Sequence, residues 1–213
     1  MTGFNVTTII RDQLEFVRSP ATVLQRLAND PHAAAVGFRH ILAIALLYEI
    51  AILLWSLGAE GVTLPAFLKI PEEQYYFYEL IFLIPVFLVY WLLAAGIAYL
   101  TSKALGGRGA YDALLGGFGL TMAVSAYFTL IPDYVQGVLW TTGWLPFAAY
   151  QAITGQGVLL VIVWAYMLAY VLAHLLFYSL TVRHTQGLDT GRSIFVAAIS
   201  FLGSFAVWIT FVR

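Results

Sequence analysis

Residues 78–100 read YELIFLIPVFLVYWLLAAGIAYL, and this stretch decides the fold. A transmembrane α-helix needs about 20 mostly apolar residues to cross the hydrocarbon core of a bilayer, whereas apolar runs of 10–14 residues are more typical of helices buried in soluble domains. The stretch has the length for crossing. We therefore predict a membrane-spanning helix over Tyr78–Leu100.

Four further apolar stretches of similar length lie on either side of it. They predict spans over Ile41–Leu57, Ala113–Leu130, Val158–Leu180 and Ile194–Val212. Of the 213 residues, 62% are hydrophobic and only 10% are charged, which leaves too little polar surface to cover a water-soluble globule. The sequence thus predicts an all-α integral membrane protein with five transmembrane helices, and the lipid bilayer is its first partner.

The basic residues indicate how the chain is oriented. Eight of the ten fall before the first span or in the connections between spans two and three and between spans four and five: Arg11, Arg18, Arg26, Arg39, Lys103, Arg108, Arg183 and Arg192. Only Lys69 and Arg213 fall on the other side. By the positive-inside rule, the N-terminus is expected in the cytoplasm and the C-terminus outside, which requires an odd number of spans.

Composition and motifs argue against several classes of function. A net charge of -1 offers no basic surface for a nucleic acid, and the absence of cysteine excludes disulfides and thiolate sites. No P-loop, HExxH, GxSxG elbow or complete GxGxxG is present. We therefore expect neither an enzyme nor a bound cofactor or metal.

Residues 1–38 are predicted to form a cytoplasmic amphipathic segment ahead of the five-span domain at 39–213. In a first helix, Val6, Ile10, Leu14 and Val17 share one face and Arg11, Asp12, Glu15 and Arg18 the other. A second helix starts at Ser19-Pro20, turns Val23, Leu24 and Leu27 inward, and stops before Asn29-Asp30-Pro31. Two alternatives stay open: both helices lie on the cytoplasmic leaflet, or they pack on the protein itself.

Glu49 is the most informative single residue, because an ionised carboxylate near the middle of a span is costly unless it is paired or hydrated. His174 in span four is its best candidate partner, since both residues lie roughly 13 to 15 Å from the cytoplasmic boundary at 1.5 Å per residue. The pair is interpreted either as a proton-linked site or as a static hydrogen bond between two spans. The static bond is the simpler explanation.

Two features of the predicted spans bear on packing. Pro85 interrupts span two, where its missing N–H predicts a kink. Small residues recur at four-residue spacing and predict close helix contacts, mainly inside the bundle: Ala94 with Ala98, Gly119 with Ala123, Ala169 with Ala173, and Ser200 with Ser204.

The outer connections are rich in aromatic residues. Tyr75, Tyr76 and Tyr78 are predicted to anchor the start of span two at the headgroups. Between spans three and four, Asp133 is the only charge of an apolar connection, and a short interfacial helix is expected to begin near Pro146.

A cluster of glycines joins spans two and three. Gly106, Gly107 and Gly109 predict a tight cytoplasmic turn with Arg108 at its tip, facing lipid phosphate or a partner's carboxylate or serving only as a topogenic charge. Gly116, Gly117 and Gly119 instead predict the close approach of another helix, because no strand precedes them to build a phosphate loop.

The run from Leu105 through Gly106, Gly107, Arg108, Gly109 and Ala110 to Tyr111 resembles the turn of the Yip-domain family, membrane proteins named for their interaction with Ypt and Rab GTPases. Ser19-Pro20 with the helix that follows, and the junction from Tyr178 to Arg192, are similar to the prokaryotic branch of that family. The resemblance implies a five-span fold, a bacterial or archaeal inner membrane, and the turn Gly106, Gly107, Arg108, Gly109 and Tyr111 as a partner surface. It implies no catalytic residue.

Two departures limit what the resemblance carries over. Ala110 stands where the family commonly has a hydroxyl residue, and Gly119-Leu120-Thr121-Met122 lacks the family's proline. The long N-terminal region of the eukaryotic trafficking members has no counterpart in these residues. Binding of a Rab-type GTPase is therefore not expected.

Three functions follow as hypotheses. The first is a non-enzymatic scaffold or adaptor linked to membrane organisation or trafficking, which binds a membrane-protein partner or a second copy of itself. The second is a small transporter or lipid-handling protein in which Glu49, His174 and the Pro85 kink line a hydrated path. The third is an accessory subunit of a larger membrane complex.

Overall fold

The structure, a computed structural model, describes residues 5–62, 67–154 and 157–211. Within them the chain forms eight α-helices, one short 3-10 helix at Glu72–Gln74 and no β-strand. The helices are α1 (Val6–Arg18), α2 (Pro20–Ala28), α3 (Ala33–Gly58), α4 (Tyr75–Ala104), α5 (Tyr111–Thr141), α6 (Phe147–Thr154), α7 (Gly157–Gln186) and α8 (Thr190–Phe211).

Five of the described helices, α3, α4, α5, α7 and α8, are long and apolar enough to cross a membrane. The predicted all-α fold with five spans is confirmed. The helices run past the predicted bounds at most ends, and α3 already begins at Ala33. Val212, the predicted end of span five, and Arg213 lie outside the described residues.

The connections divide the bundle into two ends. The end that carries α1, α2 and the turns at 105–110 and 187–189 is called here the basic end. The opposite, acidic end carries Glu72, Glu73 and α6. There α8 finishes beside the start of α4, where the Tyr75 hydroxyl donates to the Phe211 carbonyl at 3.2 Å. The described chain therefore starts at one end of the bundle and finishes at the other.

Helix α5 is the centre of the bundle. Residues 113–126 are buried without interruption, on every face of the helix. This half of α5 is covered because α2, α3, α4 and α7 all pack against it. The half nearer the acidic end has exposed residues such as Ile131 and Val135.

Helices α3 and α5 run parallel and nearly touch through their backbones. A methyl group added at Gly116 would lie 2.7 Å from the carbonyl oxygen of Ala33, and one added at Gly58 would lie 2.6 Å from the Thr141 nitrogen. Glycine permits such contact because it has no Cβ. The predicted use of Gly116 for close helix packing is confirmed.

Most of the small-residue pairs also lie inside the bundle. Ser200 and Ser204 of α8 are buried, and the Ser200 hydroxyl donates to the Ala94 carbonyl of α4 at 2.6 Å. Ala98 and Ala123 are buried as well. The pair on α7 is different, because Ala169 is exposed and Ala173 only half-buried.

Helix α7 is packed along only part of its length. Near the basic end, Tyr178 and Val182 are fully buried. Towards the acidic end, the consecutive residues 161–164 are all exposed, with Trp164 at 68%. Successive helical residues point about 100° apart, so these four side chains cover every direction around the axis. This part of α7 therefore has little packing on any side.

The acidic-end connections differ from their prediction in two respects. Asp133 lies within α5, which continues through Pro132 to Thr141, instead of in a connection. Tyr75 and Tyr76 are buried in the core, and only Tyr78 of the predicted anchors is exposed. The short helix expected after Pro146 is present as α6, which begins at Phe147.

Candidate functional site

Glu49 and His174 are not paired in the structure, so the predicted contact is wrong. No ion pair among the described residues joins them, and the central helix α5 lies between the helices that carry them. Glu49 lies beside the backbone of Ile84 in α4. Its neighbour Tyr48, rotated by about 100° on α3, is the residue that faces α5. Equal depth along two helices does not fix the direction in which a side chain points.

His174 is held by α5 and by aromatic rings. Its Nε2 is hydrogen-bonded to the Ser125 hydroxyl at 3.0 Å, and only 2% of the residue is exposed. The rings of Tyr170, Tyr178 and Phe201 surround it, with centroids 4.4, 5.5 and 5.9 Å away. The environment joins α7 to α5 and α8, as expected for a static polar contact between spans.

The intramembrane acid that stands out in the structure is Asp133. The contacts between α3 and α5 pair Gly58 with Thr141, so Asp133 lies level with Ile50, eight residues before the end of α3. Its backbone carbonyl accepts a hydrogen bond from the Trp55 indole at 2.8 Å. The structure records no hydrogen bond or ion pair to its carboxylate among the described residues. A carboxylate at this depth is a candidate functional group.

Four tyrosines lie within electrostatic range of Asp133. The side chains that interact electrostatically with its carboxylate come from three other helices: Tyr48, Tyr150, Tyr166 and Tyr170. Burial, together with the nearby Asp133, raises the pKa of the Tyr150 phenol on α6 above its ordinary value. The Tyr166 hydroxyl is buried and has no hydrogen-bond partner among the described residues. We call Asp133 and these four tyrosines the Asp133 cluster.

Further polar side chains connect the cluster to the core. The Tyr48 hydroxyl donates to the Ala126 carbonyl at 3.1 Å and also contacts the Thr129 hydroxyl. Deeper in the bundle, the Tyr178 hydroxyl donates to the Tyr90 hydroxyl at 3.3 Å. The interior of the bundle is thus polar at several levels. Sequence reasoning missed this, because tyrosines in apolar stretches look like ordinary hydrophobic residues.

A second acid was also missed. Glu79 is completely buried in α4, one turn from the acidic end. Tyr75 and Leu83, one turn before and one turn after it, are equally buried, so Glu79 belongs to the inward face of the helix. The signal was available, since a charged residue inside a predicted span is unusual.

The glycine turn is a packing element. Gly106 has a φ of +90°, which favours glycine, and the Arg108 amide donates to the Gln186 carbonyl at 3.1 Å. A methyl group at Gly109 would lie 1.8 Å from the Thr185 carbonyl oxygen. The turn is therefore fastened to the end of α7. The Arg108 side chain is exposed, whereas Tyr111 packs its ring on Tyr99 of α4.

Helices α1 and α2 pack on the bundle. Val23, Leu24 and Leu27 are buried as predicted. On α1 the buried residues are Ile9, Gln13 and Phe16, whereas the predicted apolar face is exposed. The helix thus has two faces with apolar residues, and only one of them packs on the bundle.

Pro85 lies on the outer face of α4. Helix α4 continues through it, and its side chain is exposed on the outside of the bundle. Two surface grooves lie among the described residues, one of about 600 Å³ along α1 and one of about 270 Å³ beside Tyr134. Neither is lined by Glu49 or His174. The hydrated path through that pair stays a prediction.

The described residues contain no group of three or more His, Cys, Asp or Glu side chains that could hold a metal ion. Comparison with protein-family models, curated proteins and solved structures found no match for the chain. Membership of the Yip-domain family stays a prediction from the turn and the span order.

Proposed function

We propose that this protein is a non-enzymatic membrane scaffold or adaptor that binds a transmembrane helix of another membrane protein along α7. One observation carries the proposal: α7 is anchored firmly near the basic end, but residues 161–164 in its other half are exposed on all sides. The five-span fold and the resemblance to Yip-domain proteins are consistent with this role.

The chemistry of the exposed part of α7 suits a helix partner. Lipid chains are as apolar as leucine, so helices associate in membranes through close van der Waals packing, which small residues permit. Ala165 and Ala169 are exposed one turn apart, with Leu168 and Leu172 beside them. A second helix can approach closely along this line.

Site-directed crosslinking tests the proposal, because the native chain has no cysteine. Trp164→Cys and Leu168→Cys, each carrying a photo-crosslinker, are compared in native membranes with Val89→Cys, a matched exposed residue on α4. We expect a discrete protein adduct from α7 and none from α4. Adducts to lipid alone from all three positions would contradict the proposal, and an adduct of twice the chain mass would identify a second copy as the partner.

The same experiment separates a scaffold from an accessory subunit. A single partner recovered in fixed stoichiometry after purification in mild detergent would favour the accessory-subunit function. Several partners captured at the same α7 positions would favour the adaptor.

The basic end is proposed to face the cytoplasm of a bacterial or archaeal inner membrane. The support is the positive-inside rule, since the exposed cations at this end include Lys103, Arg108 and Arg183. In intact cells, a membrane-impermeant maleimide should leave Arg108→Cys unlabelled and should label Glu73→Cys. Labelling at position 108 would show that the basic end faces outward.

A second candidate function, a small transporter or lipid-handling protein, is favoured by the Asp133 cluster. A carboxylate within a span that has no hydrogen bond or ion pair among the described residues can take up a proton or a cationic group. In proteoliposomes loaded with a pH-sensitive dye, Asp133→Asn should abolish any proton flux that the native protein supports, and Glu49→Gln should not. Equal fluxes through the native protein and Asp133→Asn would rule out this role for Asp133.

A further inference from the structure

We infer that α1 inserts its exposed face into the lipid leaflet at the basic end and that anionic lipids strengthen this contact. Its opposite face packs on the bundle at the same time. The two alternatives that the sequence offers for α1, lipid contact and packing on the protein, are then both realised on different sides of one helix.

The exposed face is a continuous apolar stripe. It consists of four residues that recur at three- and four-residue spacing, each at least half exposed: Val6, Ile10, Leu14 and Val17. Residues at this spacing line one side of a helix. A row of four large apolar side chains on a helix of 13 residues is the pattern of an interfacial membrane helix.

The opposite face is fixed to the bundle by specific contacts. Phe16 is fully buried, and its ring meets Phe177 of α7 edge-on at 5.4 Å. The Tyr127 hydroxyl of α5 donates to the Gln13 side chain at 3.0 Å, and the Gln13 amide approaches His40 Nδ1 at 3.4 Å. These contacts hold the rotation of α1 about its axis and therefore the direction of the stripe.

The contacts also fix the depth of α1. His40 immediately precedes Ile41, where the sequence predicts that the first span enters the hydrocarbon. Because Gln13 touches His40, this part of α1 lies level with the predicted start of span one, seven residues into α3. An apolar stripe at this level meets the boundary between headgroups and acyl chains.

The charges around the stripe favour an anionic lipid surface. The acids of α1 face α2, where Arg26 donates two hydrogen bonds to Glu15 at 3.0 and 3.1 Å and lies 3.8 Å from Asp12. Arg11 and Arg18 remain exposed beside the stripe, and Arg11 has 73% of its side chain accessible. Basic residues flanking an apolar face gain affinity from anionic headgroups.

Depth-resolved fluorescence tests the inference on the full-length protein. Leu14→Cys and Val17→Cys are labelled with an environment-sensitive dye and placed in lipid nanodiscs of phosphatidylcholine, alone or mixed with phosphatidylglycerol. Gln25→Cys, an exposed polar position on α2, is the matched control. Quenching by iodide reports water, and quenching by spin-labelled lipid reports the leaflet.

At positions 14 and 17 we expect quenching by lipid to exceed quenching by iodide several-fold, with the reverse at position 25. Phosphatidylglycerol should strengthen lipid quenching at 14 and 17, and replacing Arg11 and Arg18 by glutamine should remove that increase. Strong iodide quenching at both stripe positions would show that the stripe faces water. Protection from both quenchers would show that protein covers it, and either result overturns the inference. No increase with phosphatidylglycerol overturns the part played by anionic lipid, and an increase that survives the two replacements overturns the part played by Arg11 and Arg18.

Discussion

Gly37 of α3 and Gly119 of α5 lie backbone to backbone, so close that a methyl group at position 119 would sit 2.4 Å from both the Cα and the carbonyl oxygen of Gly37. This contact sets the parallel alignment of the two helices. The alignment in turn places Asp133 level with Ile50 of α3.

We expect Gly119→Ala to destabilise the protein by about 1–3 kcal/mol, because the added methyl group meets backbone that cannot move aside. Unfolding in detergent micelles, followed by helical circular dichroism, measures the change. Gly96→Ala on α4 is the control, since a methyl group there meets only the Tyr111 hydroxyl at 3.9 Å. Equal stability of the two variants would contradict the close approach of α3 and α5.

The Ser125–His174 hydrogen bond should appear as a coupling energy in a double-mutant cycle. Removing both side chains should cost less than the sum of the single changes, by about 0.5–2 kcal/mol, the range found for hydrogen bonds between membrane helices. The cycle between Glu49 and His174 should show coupling near zero, because α5 separates them. Coupling between Glu49 and His174 as large as that between Ser125 and His174 would restore the pair predicted from the sequence.

Asp12 should make the docking of α1 depend on pH. Burial raises the pKa of this carboxyl above its ordinary value, in spite of neighbouring cations that lower it, Arg26 foremost. The other charged or titratable groups around it are Arg11 and Glu15 on α1 and Arg39 and His40 on α3. A raised pKa means that the docked helix binds the proton more tightly than the released helix.

The stabilising contribution of Asp12 is therefore fully present below the ordinary carboxyl pKa of about 4 and is lost as pH rises through the raised value. A fluorophore on Ile9→Cys, at a buried position of α1, should become more accessible to iodide over this interval. Adding Asp12→Asn should remove that part of the pH dependence. An unchanged profile would assign the transition to another group, such as His40.

Within the glycine turn, Gly109 should matter for stability and Arg108 should not. Gly109→Ala should destabilise the protein, since its methyl group would overlap the Thr185 carbonyl. Arg108→Gln should leave stability within about 0.5 kcal/mol of the native protein, as is usual for exposed side chains. Detergent unfolding measures both. If Arg108→Gln lowers stability as much as Gly109→Ala, the arginine has a structural role.

Much of the site escaped prediction because it depends on which side of a helix faces which neighbour. Depth can be counted along a sequence, and Glu49 and His174 do have similar depths. Direction depends on packing, and α5 enters between their helices. Asp133 escaped because the polar residues after Leu130 resemble the end of a span, whereas the helix continues through Pro132 to Thr141.

The sequence alone determined that the chain is a five-span helical membrane protein. Long apolar stretches have no stable alternative in lipid, since the helix satisfies its own backbone hydrogen bonds within each span. Only the tertiary structure decided that α5 is central, that α1 shows one apolar face to the bundle and another outward, and that tyrosines of three other helices lie near Asp133. These features arise from contacts between residues distant in sequence, which the hydrophobicity of each span leaves undetermined.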